Sequence, residues 1–124
     1  DLVRGLPEGL GTPVRAGAFS EGERQLLSLA RALAAKPRLL LADEPTSCVD
    51  LATDERVHDA LLGLDATVLM ICHRLQHIGR FDRVVVMDAG RVVEEGAPEA
   101  LLRRGGSRLS GLCAHAGLRP SEVL

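Results

Sequence analysis

Residues 37–44 read PRLLLADE, and residues 67–73 read TVLMICH. Both segments are short apolar runs bounded by turn signals, a pattern typical of strands buried on both faces of a parallel sheet. Apolar residues also recur at helical spacing within residues 20–36, before the first run, and within residues 52–64, between the two runs. This alternation predicts an α/β fold with a mainly parallel sheet flanked by helices. The second helix is expected to turn four apolar residues inward: Val57, Ala60, Leu61 and Leu64.

The rest of the chain predicts a loop at one end and a hairpin followed by helices at the other. Residues 1–18 are rich in Gly and Pro, which indicates a loop. A short helix is expected around residues 75–78. Residues 83–94 read RVVVMDAGRVVE, and the Asp-Ala-Gly turn predicts an antiparallel hairpin. Pro98 is expected to open a helix at its first position, and the tail from Ser107 is a further helical candidate.

Composition limits the classes of function. The 124 residues are 46% hydrophobic and 26% charged, enough for one modest core and too apolar for a disordered segment. The net charge of −2 lacks the basic excess of a nucleic-acid-binding domain, and no apolar run is long enough to span a membrane. The three cysteines are widely spaced and form no CxxC pair, so neither a structural disulfide nor a zinc site is expected. This pattern fits a protein of a reducing compartment.

An acid pair and an imidazole end the two predicted strands. If the strands are parallel, Asp43, Glu44 and His73 lie at the same edge of the sheet, where ligands of open α/β sheets bind. An acid in this place can hold hydrated Mg²⁺, and a second acid can orient a water molecule. Taken singly, each residue has a simpler interpretation: the acids as loop or turn residues and the histidine as a structural one.

Residues 20–23, Ser-Glu-Gly-Glu, also have two interpretations. Ser-x-x-Glu before an apolar helix is a capping box, in which Ser20 and Glu23 satisfy each other's backbone. The same helix start has free N–H groups that suit a phosphate, and Gly22 would allow close approach. Asp50 is ambiguous in the same way, because it can simply cap the next helix.

Other polar residues are expected to be structural. His58, His77 and His115 have no partner at ligand spacing and are interpreted as surface or packing residues. Cys48, in the acidic loop, is interpreted as a small filler, and a reactive thiol near the edge of the sheet is the alternative.

The order of these motifs carries a family resemblance. FSEGE at 19–23, LLLADE at 39–44, SCVD at 47–50 and ICHR at 71–74 occur in the order of the signature motif, Walker B strand, D-loop and switch histidine of ATP-binding-cassette (ABC) proteins. From about residue 6 to 103, the chain resembles the C-terminal half of an ABC nucleotide-binding domain, a partial P-loop NTPase fold. GERQLLSLARAL, ICHRL and the stretch at 82–98 are similar to exporters of the multidrug-resistance-protein type.

The resemblance implies a role for each matching residue. Asp43 would hold Mg²⁺ through water, Glu44 would be the catalytic base, and His73 would contact the γ-phosphate of ATP. The ATP-binding residues would be Ser20, Gly22, Glu23 and Asp50, which act across a head-to-tail dimer with a second nucleotide-binding domain. Glu23 departs from the family's usual Gln, Glu21 from a common Gly, and Pro45 is less typical of exporters.

The phosphate-cradling loop GxxxxGK[ST] does not occur in the sequence, whose single lysine is Lys36. We therefore expect residues 1–124 to be the C-terminal part of one nucleotide-binding domain: a loop at 1–18, the signature to post-switch region at 19–103, and a tail at 104–124. The isolated chain is expected to be inactive.

The resemblance implies that the whole protein is an ATPase that powers transmembrane export. It would work with transmembrane domains, at the cytoplasmic face of a membrane, without nucleic acid. The alternatives are an ABC ATPase that does not transport, and a degenerate cassette that acts as a regulatory or interaction module.

Overall fold

The computed structural model describes residues 2–15 and 17–124 and contains both helices and strands. The chain divides into two units, one ending at Ile71 and the other running from Cys72 to Leu124. The first unit contains α1 (Glu21–Ala34), β1 (Leu39–Asp43), α2 (Leu51–Leu62) and β2 (Thr67–Ile71). The second contains β3 (Val84–Asp88), β4 (Arg91–Gly96), α3 (Pro98–Arg103), α4 (Arg108–His115) and α5 (Pro120–Val123). The predicted α/β class is confirmed.

The parallel pair of the first unit forms as predicted. β1 and β2 are hydrogen-bonded in parallel, with Leu40 opposite Val68 and Asp43 opposite Ile71. Leu40 lies on the buried face of the pair, where it packs with Val57 and Leu61 of α2. Partly buried residues of α1, β2 and the loop after α2 complete this core: Leu26, Leu29, Ala32, Leu33, Leu64, Val68 and Met70.

The prediction that both strands are buried on both faces is wrong for this chain. Leu41 of β1 is 68% exposed and Leu69 of β2 is 59% exposed, although both belong to the apolar runs. Side chains alternate between the faces of a strand, and the core against α1 and α2 takes only the alternate set that includes Leu40. Leu41 and Leu69 belong to the other set, which this core does not bury.

α2 buries a stripe that differs from the predicted one. Its buried residues are Asp54, Val57, His58 and Leu61, which follow the helical spacing i, i+3, i+4 and i+7. Ala60, predicted to face inward, is exposed because it lies outside that stripe. Two buried positions of α2 are thus polar, which a search for apolar periodicity misses.

The second unit is built around the predicted hairpin. β3 and β4 are antiparallel, and their two-residue turn has positive φ angles of 46° at Ala89 and 74° at Gly90, as a type I′ turn requires. The short helix expected around residues 75–78 forms as a 3₁₀ helix (Leu75–Arg80), and Pro98 begins α3. The core of this unit contains Ile78, Val84, Val86, Leu101, Leu102, Leu109, Cys113 and Val123.

A buried carboxylate joins the hairpin to α4. Glu94 of β4 is almost fully buried, and it accepts hydrogen bonds of 2.9 Å from the Ser107 hydroxyl and from the Leu109 backbone N–H. Arg104 donates a third bond at 2.5 Å. The Leu109 N–H bond, aided by the Ser107 and Arg104 contacts, lowers the pKa of Glu94 against the opposing effect of burial. Glu94 therefore caps α4 as an anion.

Residues 1–18 were predicted to form a loop. In the part of this segment that the structure describes, the regular elements are two short 3₁₀ turns, Val3–Gly5 and Gly9–Gly11. Among the described residues, no helix combines the length and the apolar character needed to cross a bilayer.

Candidate functional site

The acid pair stands where the parallel strands end. Asp43 is the last residue of β1, opposite Ile71 at the end of β2, and its side chain is exposed. Glu44 follows at once and is half-buried, with its backbone in the left-handed region at φ +45°. Its N–H donates a 2.9 Å hydrogen bond to the Ile71 carbonyl, so the chain turns away from the sheet while still tied to β2. Both carboxylates thus lie at the carboxyl end of the sheet.

The loop after Glu44 is held by tight turns. The Ser47 N–H donates to the Glu44 carbonyl at 3.2 Å, and the Val49 N–H donates to the Thr46 carbonyl at 3.4 Å. Thr46 is buried, whereas Ser47 and Cys48 are exposed. Cys48 is therefore not the packed filler expected from the sequence.

Gln25 of α1 bonds to this loop, a contact that the sequence did not predict. Its Nε2 donates to the Glu44 carbonyl at 3.2 Å and to the Ser47 hydroxyl at 2.8 Å. Its Oε1 accepts from the Cys48 N–H at 3.2 Å. The sequence did carry a signal for such a contact: Gln25 lies four residues before Leu29, so a polar side chain stands on the apolar stripe of α1.

Gly22 is required by a close approach between α1 and the same loop. A Cβ at this position would lie 2.5 Å from the Cys48 carbonyl oxygen and 3.4 Å from a methyl carbon of Val49. On the side of Gly22 where a Cβ would stand, the backbone of Cys48 therefore fills the space in which the sequence analysis expected a phosphate to approach.

Ser20 and Glu23 form the predicted capping box. The Ser20 N–H donates to the Glu23 carboxylate at 2.8 Å, and the Glu23 N–H donates to the Ser20 hydroxyl oxygen at 3.3 Å. The Ser20 hydroxyl also donates to the same carboxylate at 2.9 Å. The bonds from the Ser20 backbone and hydroxyl lower the pKa of Glu23, so this side chain stays anionic at the helix start. Its charge is directed to Ser20.

Asp50 caps α2, as one of its two interpretations held. Its carboxylate accepts from the Thr53 N–H at 3.0 Å and from the Thr53 hydroxyl at 2.8 Å. Both bonds lower the pKa of Asp50, the backbone one more strongly. Both carboxylate oxygens of Asp50 thus accept from Thr53, although the residue is exposed to solvent.

The first unit brings together six of the seven predicted residues: Ser20, Gly22, Glu23, Asp43, Glu44 and Asp50. They occupy the start of α1 and the loop from β1 to α2. His73 is exposed and belongs to the second unit. Its approach to the acid pair stays a prediction.

The remaining histidines differ in their environment. His58 is fully buried in α2, with its Nδ1 3.0 Å from the Asp54 carbonyl oxygen and 3.4 Å from the Asp54 carboxylate. It is thus a packing residue, one of the two expected uses. His115 is exposed, and its Nδ1 lies 2.8 Å from the Gly111 carbonyl of its own helix.

Comparisons with known proteins agree on one family. Residues 5–47 match the family model described as ABC transporter. The chain is 42% identical over 121 residues to the ABC-type transporter atr1 of Mycosarcoma maydis, and the aligned stretch covers 90% of this chain and 9% of that protein. It is 44% identical over 110 residues to the ATP-dependent lipid A-core flippase of Bordetella avium, covering 86% of this chain and 19% of that protein.

A solved structure shares the fold. The structure of a bacterial Atm1-family ABC exporter with ATP bound matches with a TM-score of 0.81 at 32% identity, over 95% of this chain and 21% of that one. The chain therefore spans about a fifth or less of the relatives and structure that it matches.

Proposed function

Because the chain belongs to the ABC transporter family, we propose that it is the C-terminal part of a nucleotide-binding domain whose ATP hydrolysis powers transmembrane export. The family carries ATP-binding domains, and its members similar to this chain include exporters. The proposed boundaries keep residues 1–124 within one such domain, with the working motifs between residues 19 and 103.

One observation supports the proposal most strongly. Asp43 ends the apolar strand β1 at the carboxyl edge of a parallel pair, and Glu44 follows it. The backbone of Glu44 is bonded to both neighbours, β2 and α1. Open α/β sheets bind ligands outside this edge. A carboxylate carried by a backbone fixed on both sides is suited to orienting a water molecule, because catalysis of phosphoryl transfer rests on positioning and charge.

Asp43 fits the proposed Mg²⁺ site. Its carboxylate is exposed, and within residues 2–15 and 17–124 it takes part in no hydrogen bond or ion pair, so its oxygens are available to a hydrated cation. A bound Mg²⁺ would neutralise charge on the phosphates of ATP. Glu44 would then accept a proton from the water that attacks the γ-phosphorus.

The start of α1 is the proposed clamp for ATP held by a second nucleotide-binding domain. Ser20, Gly22 and Glu23 form a helix start of the kind that binds phosphate. The Glu23 N–H is bonded to the Ser20 hydroxyl oxygen, so the proposed contacts to phosphate come from Ser20 and the backbone at Gly22. Asp50 would lie at the seam of the head-to-tail dimer. His73 would contact the γ-phosphate in the chain's own site.

The setting of the whole protein follows from the same proposal. Transmembrane domains would be its partners and the cytoplasmic face of a membrane its location. The isolated chain would be inactive, since GxxxxGK[ST] is absent from residues 1–124.

The test is Glu44→Gln in the whole protein, measured by phosphate release and by equilibrium ATP binding. Turnover is expected to fall at least about a hundredfold, the usual contribution of a general base, while ATP binding is kept. Glu55→Gln, an exposed site on α2, is the matched control and should behave as the wild type. Wild-type turnover in Glu44→Gln would refute the assignment.

Glu23 favours a second candidate function, a degenerate cassette that regulates or docks without hydrolysing ATP at its clamp. Its lowered pKa keeps a negative charge beside the position proposed for a triphosphate. ATP-dependent association of the two nucleotide-binding domains, measured in Glu44→Gln, distinguishes the two functions, because a decayed clamp gives no ATP-dependent dimer.

A further inference from the structure

We propose that Gln25 is a positioning residue that couples the clamp at the start of α1 to the loop carrying Glu44. The inference rests on the proposed function of Ser20 and Glu44. It starts from a side chain for which neither the family resemblance nor the sequence analysis gave a role.

The Gln25 amide is matched to the loop on both of its polar atoms. It donates to the Glu44 carbonyl and the Ser47 hydroxyl and accepts from the Cys48 N–H, at 2.8 to 3.2 Å. Glutamine offers a donor and an acceptor at this reach, whereas a carboxylate lacks the donor. The side chain thus bonds to three successive parts of the loop, two of which are backbone groups: the Glu44 carbonyl and the Cys48 N–H.

These bonds hold a conformation that is costly by itself. Glu44 is a non-glycine residue at φ +45°, which is disfavoured by roughly 1–2 kcal/mol, and such a residue persists where its surroundings fix it. Gln25 binds the carbonyl of that residue, and the Glu44 N–H is bound by Ile71. The backbone of Glu44 is therefore fixed on both sides.

A second contact lies one turn earlier on the same helix. Gly22 approaches the Cys48 carbonyl so closely that no Cβ fits between them. With Gln25 bound to the Cys48 N–H, α1 contacts both sides of one residue of the loop. The first turn of α1 and residues 44–48 therefore move together.

The consequence is a mechanical link between two half-sites. Ser20 would serve the nucleotide held by a second domain, and Glu44 the nucleotide held by its own. Engagement of the clamp would then set the position of the base through Gln25.

The experiment compares Gln25→Leu with Ser28→Ala, an exposed residue of the same helix, in the whole protein. ATPase kinetics and amide hydrogen exchange at Cys48 are both measured. For Gln25→Leu we expect kcat to fall between about tenfold and a hundredfold, KM for ATP to stay within about twofold, and the Cys48 amide to exchange faster. Ser28→Ala should match the wild type in all three.

A wild-type kcat in Gln25→Leu would overturn the proposal, as would a raised KM with unchanged kcat. If this variant does not fold, Gln25→Glu replaces it, since it keeps the size and the acceptor for Cys48 and loses the donor to Glu44. It should show the same fall in kcat, and a wild-type value would again overturn the coupling.

The two proposals fail in different ways. Full turnover in Glu44→Gln refutes the proposed function, while the exchange rate at Cys48 still tests the link. Loss of turnover in Glu44→Gln with normal kinetics and exchange in Gln25→Leu refutes the link alone.

Discussion

The backbone amide of Glu44 donates a 2.9 Å hydrogen bond to the carbonyl oxygen of Ile71, the last residue of the neighbouring parallel strand. This bond extends the ladder of the sheet by one residue, while the left-handed backbone of Glu44 turns the chain out of it. The carboxylate proposed as the base is thus attached to the most regular part of the first unit. Loops positioned by such a scaffold are where catalytic residues concentrate.

Gly22→Ala should destabilise the first unit. The added methyl would meet the Cys48 carbonyl oxygen at 2.5 Å, and separating α1 from the loop is expected to cost about 1–3 kcal/mol of unfolding free energy. Gly111→Ala is the control, because it lies inside α4 with nothing within 4 Å of the new Cβ. That change should stabilise the protein by up to about 1 kcal/mol. Urea denaturation measures both, and equal stability of the two variants would contradict the packing argument.

Glu23→Gln should strengthen ATP-dependent function. Glutamine can still close the capping box, and the substitution removes one negative charge from the proposed clamp. KM for ATP should fall by about two- to fivefold at low salt, and by less at high salt. Glu21→Gln is the comparison: its charge is already paired with Arg24 at 2.5 Å, so a smaller change is expected. An unchanged KM in Glu23→Gln would argue against Glu23 lying near the nucleotide.

Glu94→Gln should remove a pH-dependent part of stability. The folded-state pKa of Glu94 lies below its ordinary value of 4.5, so its contribution is fully present above that value and is lost as pH falls through the lowered pKa. The variant should have a lower Tm than the wild type at pH 7, and the difference should shrink below pH 4.5. Glu99→Gln is the control: Glu99 is exposed and pairs with Arg103 at the surface, so the variant should change Tm less at pH 7. A difference in Tm that does not vary with pH would show that the ionised form is not the stabilising one.

Leu61→Ala tests the core under the candidate site. Leu61 is 0% exposed, and its truncation should cost about 2–5 kcal/mol of unfolding free energy through lost burial and a cavity. Leu10→Ala, at a side chain 93% exposed, should change stability by less than about 0.5 kcal/mol. Denaturation midpoints that coincide for the two variants would place the core elsewhere.

The parallel pair, the hairpin and the acid pair could be predicted because each depends on local pattern. The apolar run before Asp43 and Glu44 indicates a strand and the residue at which it ends, and Ala89-Gly90 indicates a turn. The family resemblance added the roles of these residues, which spacing alone left open.

The missed features depend on long-range contacts. Gln25 bonds to residues 19 to 23 positions away, and no periodicity encodes that pairing. The apolar character of Leu41 did not reveal whether this chain supplies the layer that would cover it. Asp54 and His58 are polar and still complete the buried stripe of α2, because burial there follows helix geometry rather than hydrophobicity.

The three thiols of residues 1–124 differ in their exposure to solvent, which allows one of them to be labelled selectively. Cys113 is buried, and burial raises its pKa; Cys72 is half-buried; Cys48 is exposed on the loop between Glu44 and Asp50. Thiol reagents should therefore modify Cys48 first. A fluorophore or spin label attached there would report motion of this loop during turnover.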